Sequence, residues 1–243
     1  MTVAPTPLHR QPHRRPLVWI VGAFALVAAG VGIGLIIDSE IFESSSSSNA
    51  SQGSGVAATE TREVPSFTGV ELAGGNNVTV RVGAERSVVV HGDDNLLSRI
   101  TTQVEDSDLV VGQTPGSIES KSPTWVEVSV PSLDALTLTG SGILAVTGIE
   151  AANVTVTLSG SGIVRASGTA TRLDVDLPGS GEAGLKQLVA RDVNAVVSGS
   201  GLLLITATER LDASVPGTGA ILYAGNPADV TTSITGSGAI TRG

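Results

Sequence analysis

The sequence predicts an all-β chain built mainly as a solenoid of stacked coils, each about 19–20 residues long, preceded by one transmembrane helix and a flexible linker. Three observations predict it. A small glycine triplet returns at nearly constant spacing through the second half, the residues flanking it alternate between apolar and polar, and a single 21-residue run near the N-terminus carries no charge. Composition agrees. Of 243 residues 30 are glycine and only 2% are aromatic, while the apolar 41% is mostly Val, Leu, Ile and Ala. Small and β-branched side chains suit thin stacked sheets. There is no cysteine, so disulfides, thiolate metal sites and lipid-anchored cysteines are excluded.

Taken from the N-terminus, residues 1–16 read as a cytoplasmic tail. Leu17 to Ile37, "LVWIVGAFALVAAGVGIGLII", is long enough as a helix to cross the ~30 Å hydrocarbon core. Arg10, Arg14 and Arg15 precede it and Asp38, Glu40 and Glu43 follow it, so the positive-inside rule places the C-terminal part outside the cell membrane. The run exceeds a signal peptide's apolar core and no small-x-small site directly follows it, which favours an uncleaved single-pass anchor. Gly30 and Gly34 form a GxxxG pair of the kind that lets two helices approach. Three of the 14 basic residues lie before the run, leaving 11 against all 23 acids, a net charge of −12. Such a surface repels phosphate backbones and argues against nucleic-acid binding.

Residues 38–63, with "ESSSSSNASQGSG", lack apolar periodicity and read as a flexible Ser-rich linker. Residues 64–131 hold short alternating segments without a strict repeat, among them "VTVRV", "SVVVHG", "RITTQV", "LVV" and "WVEVSV", with "EDSD" as a hairpin turn. Residues 132–243 are stricter and predict six coils. The triplets pair Gly140 with Gly142, Gly160 with Gly162, Gly179 with Gly181, Gly199 with Gly201, Gly217 with Gly219 and Gly236 with Gly238, at intervals of 20, 19, 20, 18 and 19 residues. A linker has no reason to keep a period; a stacked coil does. Before each triplet Leu138, Leu158, Leu177, Val197, Val215 and Ile234 face inward, and after it Leu144, Val164, Ala183, Leu203, Ile221 and Ile240 do so. Each coil therefore reads as two strands and two corners with some five inward side chains. The glycines are structural corners, needed for a sharp turn and for lack of space, and their hydroxylic middle residues are placed to hydrogen-bond along the axis.

The stretches "FTGVELAGGNNVTVRVG", "VVVHGDDNLLSRITTQVEDSDLVV" and "VEVSVPSLDALTLTGSG", with the recurring GSG corners, resemble the autotransporter-adhesin head domain, or GIN domain, family over about Val64 to Gly243. The resemblance implies a right-handed parallel β-helix outside the cytoplasm. It supplies no catalytic residue to carry over.

A search for chemistry finds little. An outward column of Asp174, Asn194 and Asp212, with Asp176 beside it, offers oxygen ligands of the type Ca²⁺ takes, but the favoured reading is a solvated face whose polar residues limit aggregation, with no metal site. Lys186 and Arg165 fall on the other strand, so no acid-base constellation assembles. Of His9, His13 and His91, two precede the apolar run, which excludes a histidine metal centre or triad. The GSG triplets lack the strand-GxxxxGK-helix setting of a phosphate loop. Leu204 and Leu222 read as matching outward positions two coils apart, an apolar patch for a partner or for a covering loop. The final "GAITRG" reads as an open edge able to pair with another copy or a partner strand. The expectation is a non-enzymatic, cofactor-free module for adhesion or envelope partner binding, taking a protein or glycan outside the cell. The alternatives are a carbohydrate-active enzyme on the same scaffold and an envelope-sensing regulator. Oligomeric state is not fixed by the sequence.

Overall fold

The computed structural model describes residues 50–243; the expected cytoplasmic tail, the apolar run Leu17 to Ile37 and the first part of the linker lie outside the described residues. Among the described residues the order is β1 (Ser51–Gln52), β2 (Ala57–Thr61), β3 (Gly69–Leu72), β4 (Asn77–Val82), β5 (Ser87–Asp93), a 3-10 turn (Leu97–Arg99), β6 (Ile100–Glu105), β7 (Asp108–Gln113), β8 (Ile118–Glu119) and β9 (Trp125–Val130). Then come β10 (Ala135–Leu138), β11 (Ile143–Leu158), β12 (Ile163–Asp176), β13 (Glu182–Val196), β14 (Leu202–Val215), β15 (Ala220–Ala224), β16 (Asp229–Ile234) and β17 (Ala239–Arg242). The domain is all-β, and no helix of the described residues is long and apolar enough to cross a membrane.

From β10 to β17 every pairing is parallel and joins residues one coil apart, as in Leu138 with Leu158, Asp174 with Asn194 and Leu203 with Ile221. Six glycine corners stack, enclosing five turns between Gly140 and Gly236. The unequal intervals are absorbed away from these corners. Between β11 and β12 the offset falls from 20 at Val146–Ala166 to 19 at Ile149–Gly168, and between β13 and β14 register shifts follow Gly184 and Ala190.

Each coil has three faces, not the two expected. In β13 and the residue after it, Ala183 and Leu185, then Leu188 and Ala190, then Val193, Ala195 and Val197 point inward, all at most 2% exposed. Alternation loses step at Lys186–Gln187 and Arg191–Asp192, so the chain bends at both places besides the glycine triplet. Six or seven inward side chains per coil, where five were expected, explain why residues as small as alanine fill the core. At about 1.5–3 kcal/mol for each larger aliphatic group, burial shared with neighbouring coils offsets the ordering cost that one coil cannot meet.

The segment 64–131 is less irregular than its sequence suggests. β3 and β4, joined through Ala73–Asn76, form a coil beneath β10 and β11, with "AGGN" standing where later coils have GSG. β7 and β9 lie beneath β3 and β4 in turn. The other end of the solenoid is closed by antiparallel strands: β5 on β9, β2 on β5 and β6 on β7. Phe67, Leu96, Leu97 and Ile100 are buried there. The "EDSD" turn joins β6 to β7 with Asp106 and Ser107 both at positive φ (49° and 76°), the two-residue hairpin geometry.

The linker expectation fails for its described part. β1 pairs with β8 and β2 pairs with β5, so ordered structure begins by Ser51 and not at Val64. "AATET" shows no apolar alternation because β2 adds an edge through its backbone, with four of its five side chains exposed.

Candidate functional site

On the face between the third bend and the glycine corner, the structure brings Asp174, Asn194 and Asp212 into one outward column, as predicted, flanked by Thr155 and Thr231. The column's leading carboxylate is already engaged. Arg172 donates from Nε and Nη2 to both Asp174 oxygens at 2.7 and 2.8 Å, and Asn194 Nδ2 donates at 3.3 Å. The hydrogen bond from Arg172 holds the Asp174 carboxyl below its usual range, against the opposing effect of partial burial. Two residues earlier runs a column that alternates in sign, Arg172, Asp192, Arg210 and Asp229, with Arg210 and Asp229 at 3.3 Å. Arg191 and Glu209 make a further bidentate pair on neighbouring coils. Most of the charge on this face is paired, with Asp176 and Asp212 outside the ion pairs, and no group of three or more His, Cys, Asp or Glu poised for a metal exists among the described residues.

At the first five glycine corners the middle residue projects outward, the second glycine is buried, and the first lies between these extremes. A Cβ on Gly160 would sit 2.0 Å from Gly140 O, and one on Gly181 2.2 Å from Gly162 O. None of the twelve corner glycines has a positive φ. The turn therefore makes no conformational demand that only glycine meets, and the triplet is glycine for lack of space alone. Nor do the hydroxyls form the expected axial ladder. The axial bonds are made by their backbones: Ser161, Ser180, Ser200, Thr218 and Ser237 each donate N–H to the first glycine's carbonyl one coil earlier at 3.0–3.2 Å. The hydroxyls of Ser141, Ser161, Ser180 and Ser200 line a shallow open groove along the axis.

A third arrangement was not legible in the sequence. Asp93 is fully buried at the capped end, where its carboxylate receives five hydrogen bonds. Gly55 N–H (2.9 Å) and Ser122 Oγ (2.7 Å) donate to Oδ1; Ser120 Oγ (2.9 Å) and the N–H groups of Lys121 (2.8 Å) and Ser122 (3.2 Å) donate to Oδ2. Burial alone would push its pKa upward, but the bonds from Ser122, Lys121 and Ser120 overcome this and hold it far below the usual carboxylate range. The next two residues grip the same incoming segment: Asp94 accepts from Ser54 Oγ, Asn95 Oδ1 accepts from Ser54 N–H, and Asn95 Nδ2 donates to Gln52 O. Gly53 fits here because a Cβ would lie 2.1 Å from Asp93 Oδ2. With donors on both oxygens, this carboxylate is a fastening point and not a cation ligand.

Compared with protein families, residues 66–227 match the family described as "Putative auto-transporter adhesin, head GIN domain". The chain belongs to this family. Solved structures similar to this head GIN domain include a putative adhesin from Bacteroides fragilis, 23% identical, with a TM-score of 0.63 over 79% of this chain and 99% of that one. A putative adhesin from Parabacteroides distasonis is 20% identical, with a TM-score of 0.54 over 80% and 100% of the two chains. A putative lipid binding protein from the same species is 21% identical, with a TM-score of 0.51 over 79% and 98%. At these identities the likeness is one of fold. No curated protein matches the chain.

Two further groups in the head GIN domain went unread in the sequence. His91, taken as solitary, stacks on Trp125 with ring centroids 4.2 Å apart and planes 6° from parallel, its Nδ1 3.2 Å from Thr59 Oγ1. Asp108 lies over Gly69, and its pKa is raised by burial and then by the charges of Glu71, Asp134 and Asp106. Both are assembled across strands distant in sequence, which local spacing does not report. Leu204 and Leu222 are paired neighbours in adjacent coils, one coil apart and not two, because 18 residues make one turn here. Arg165 lies on the face that follows the glycine corner and Lys186 at the bend that ends it, both away from the Asp174 column.

Proposed function

We propose that this head GIN domain is a non-enzymatic, extracytoplasmic adhesion or partner-binding module, a right-handed β-helix held to the cell membrane by Leu17 to Ile37. The observation that carries the reading is the state of the one acidic column that could have done chemistry. Asp174 is neutralised in place by Arg172 and further hydrogen-bonded by Asn194, while the neighbouring columns pair acid with base. A glycosidase needs an unpaired acid facing an ionised partner across a substrate gap. What the solenoid offers instead is a rigid rod with broad polar faces, suited to recognition of a protein or glycan. Family membership supports the adhesin part of this reading. The 21-residue apolar run and its flanking charges support the anchor.

The test is protease treatment of intact cells carrying the full chain with an epitope tag at each end. The reading expects the C-terminal tag to be lost while the N-terminal tag stays protected. Protection of both tags would overturn it, and so would recovery of the domain in the medium without the apolar run.

A further inference from the structure

Of the six glycines that stand within strands among the described residues, five have a reason in the fold. Gly148 and Gly168 take positive φ (83° and 138°), and a Cβ on Gly69, Gly92 or Gly112 would come within 3.3 Å of a neighbouring atom. Gly184 has neither reason. Its φ is not positive, and a Cβ there would meet Arg165 Cγ at 3.6 Å and Glu182 Oε1 and Val164 O at 3.8 Å, all ordinary contacts. Glycine inside a strand weakens the sheet, and where the fold does not need it, it is a mark of close approach by another molecule.

Gly184 is the floor of a hollow of about 360 Å³ on the face that follows the glycine corner, within the size range of small-ligand pockets. Arg165, its partner in β12, and Leu204, its partner in β14, wall the hollow, and Glu182 stands two residues before it. The far end is made by a bulge in β13. The offset to β12 rises from 19 at Gly184 to 20 at Gln187, and the offset to β14 falls from 20 at Gly184 to 17 at Val189, so β13 carries surplus residues against both neighbours. Lys186 and Gln187 lie in that surplus; both are exposed and both line the hollow. Bulges re-aim side chains in this way beside binding sites. Arg172, Arg191 and Arg210 each hold a carboxylate, whereas Arg165 and Lys186 make no ion pair among the described residues.

We propose that the hollow over Gly184 binds a carboxylated saccharide, a uronate unit of a glycan. Its two free cations draw a carboxylate, which the Arg165 guanidinium can take through two parallel N–H donors. Glu182 has the opposite need. An anionic acceptor beside that carboxylate is satisfied by hydroxyl donors, and a uronate carries carboxylate and hydroxyls on one ring. An acidic peptide brings a carboxylate without hydroxyls beside it and meets Glu182 as a like charge. Leu204 offers an apolar wall to the C–H groups of the ring. From Glu182 to Lys186, four residues at ~3.3 Å give a groove about 13 Å long, room for two linked sugar rings. Glu182 is the one carboxylate among the lining residues, so the pair of acids that would cleave the glycan is not there. The site deepens the partner-binding reading above and rests on it. Uronate binding is read on purified protein and surface exposure on intact cells, so either can fail without the other.

The test is isothermal titration calorimetry of the full chain purified in detergent. The probes are trimers of galacturonate, glucuronate and mannuronate, their carboxyl-reduced neutral counterparts, and a hexaglutamate peptide. At least one uronate trimer is expected to bind, with its neutral counterpart and the peptide about tenfold weaker or more. Arg165→Gln weakens the uronate about tenfold or more. Gly184→Val fills the hollow and does the same, while thermal melts show no loss of stability. Gly184→Ala, at least as stable as the parent, stands in if the valine protein does not fold. Absence of binding by every uronate trimer would overturn the proposal, as would equal binding of the neutral trimers or tighter binding of the peptide. So would unchanged uronate binding in the Arg165 and Gly184 variants, or a Gly184→Ala protein that melts below the parent.

Discussion

Replacing Gly181 by alanine separates two reasons for a glycine that sequence alone cannot tell apart. Gly181 has no positive φ, so with open space around it alanine would gain roughly 0.4–1 kcal/mol by restricting the unfolded chain. The structure predicts the opposite sign. The new Cβ would stand 2.2 Å from Gly162 O and 3.0 Å from Leu158 Cδ2, about 1 Å inside ordinary contact with the oxygen. Neighbouring coils must part locally to admit it. That loosens the bonds from Ser180 N–H to Gly160 O (3.2 Å) and from Glu182 N–H to Gly162 O (3.0 Å). Overpacking costs about 1–3 kcal/mol and two weakened hydrogen bonds about 0.5–1.5 kcal/mol each, for a total of ~2–6 kcal/mol. At ~2–4 °C per kcal/mol, the thermal midpoint drops by roughly 4–24 °C. Ser180→Ala, one residue away but exposed, is the control and shifts stability by no more than about 0.5 kcal/mol. Thermal and urea unfolding followed by circular dichroism reads both. A Gly181→Ala protein as stable as the parent would refute the close-approach argument for all six corners.

Three more outcomes follow from the same geometry. Gly83, at φ +90° with open space around a built Cβ, is the converse case: Gly83→Ala costs about 1–2 kcal/mol through backbone strain and Gly83→Asn less, measured by urea unfolding. Asp93→Asn, which turns an amide donor toward groups that already donate, frees the segment 51–61, and limited proteolysis there speeds up by roughly tenfold or more while the coils stay protected. Because the folded pKa of Asp93 is depressed, its contribution is complete above the unfolded value near ~4 and is lost only as pH falls through the lower folded value. Asp108 has the opposite sign. Its raised folded pKa means a contribution present below ~4 and lost as pH rises. Asp108→Asn is therefore more stable than the parent at neutral pH, and urea midpoints of the two converge as the solution is acidified.

The period of the solenoid was readable because it is enforced by backbone meeting backbone. Any side chain at Gly160 or Gly181 collides with a carbonyl, so the constraint leaves a mark at every coil. The other two bends leave a weaker mark. One falls at Thr147–Gly148, where Gly148 has φ +83°, but at Lys186–Gln187 two coils later, and the other falls at exposed residues such as Arg191–Asp192, so no residue type recurs at every coil and three faces looked like two. β2 was missed for a related reason. Its register is set by backbone pairing and by Asp93, Asp94 and Asn95 some forty residues away, and nothing within "AATET" announces a strand. Asp174, Asn194 and Asp212 were correctly aligned by counting, yet counting did not show that Arg172, two residues before the first, turns back onto it.

Keeping the glycine corners in strict alignment while the exposed bends take up spare residues separates the part of the repeat that must not vary from the part that is free to. One residue more or less per coil leaves the carbonyl-to-carbonyl pile undisturbed, as the step from a 20-residue to a 19-residue offset between β11 and β12 demonstrates. A copied coil inserted between two others would meet neighbours of its own shape on both sides. Lineages carrying this scaffold can thus lengthen or shorten the rod by whole units, tuning its reach without redesigning the core.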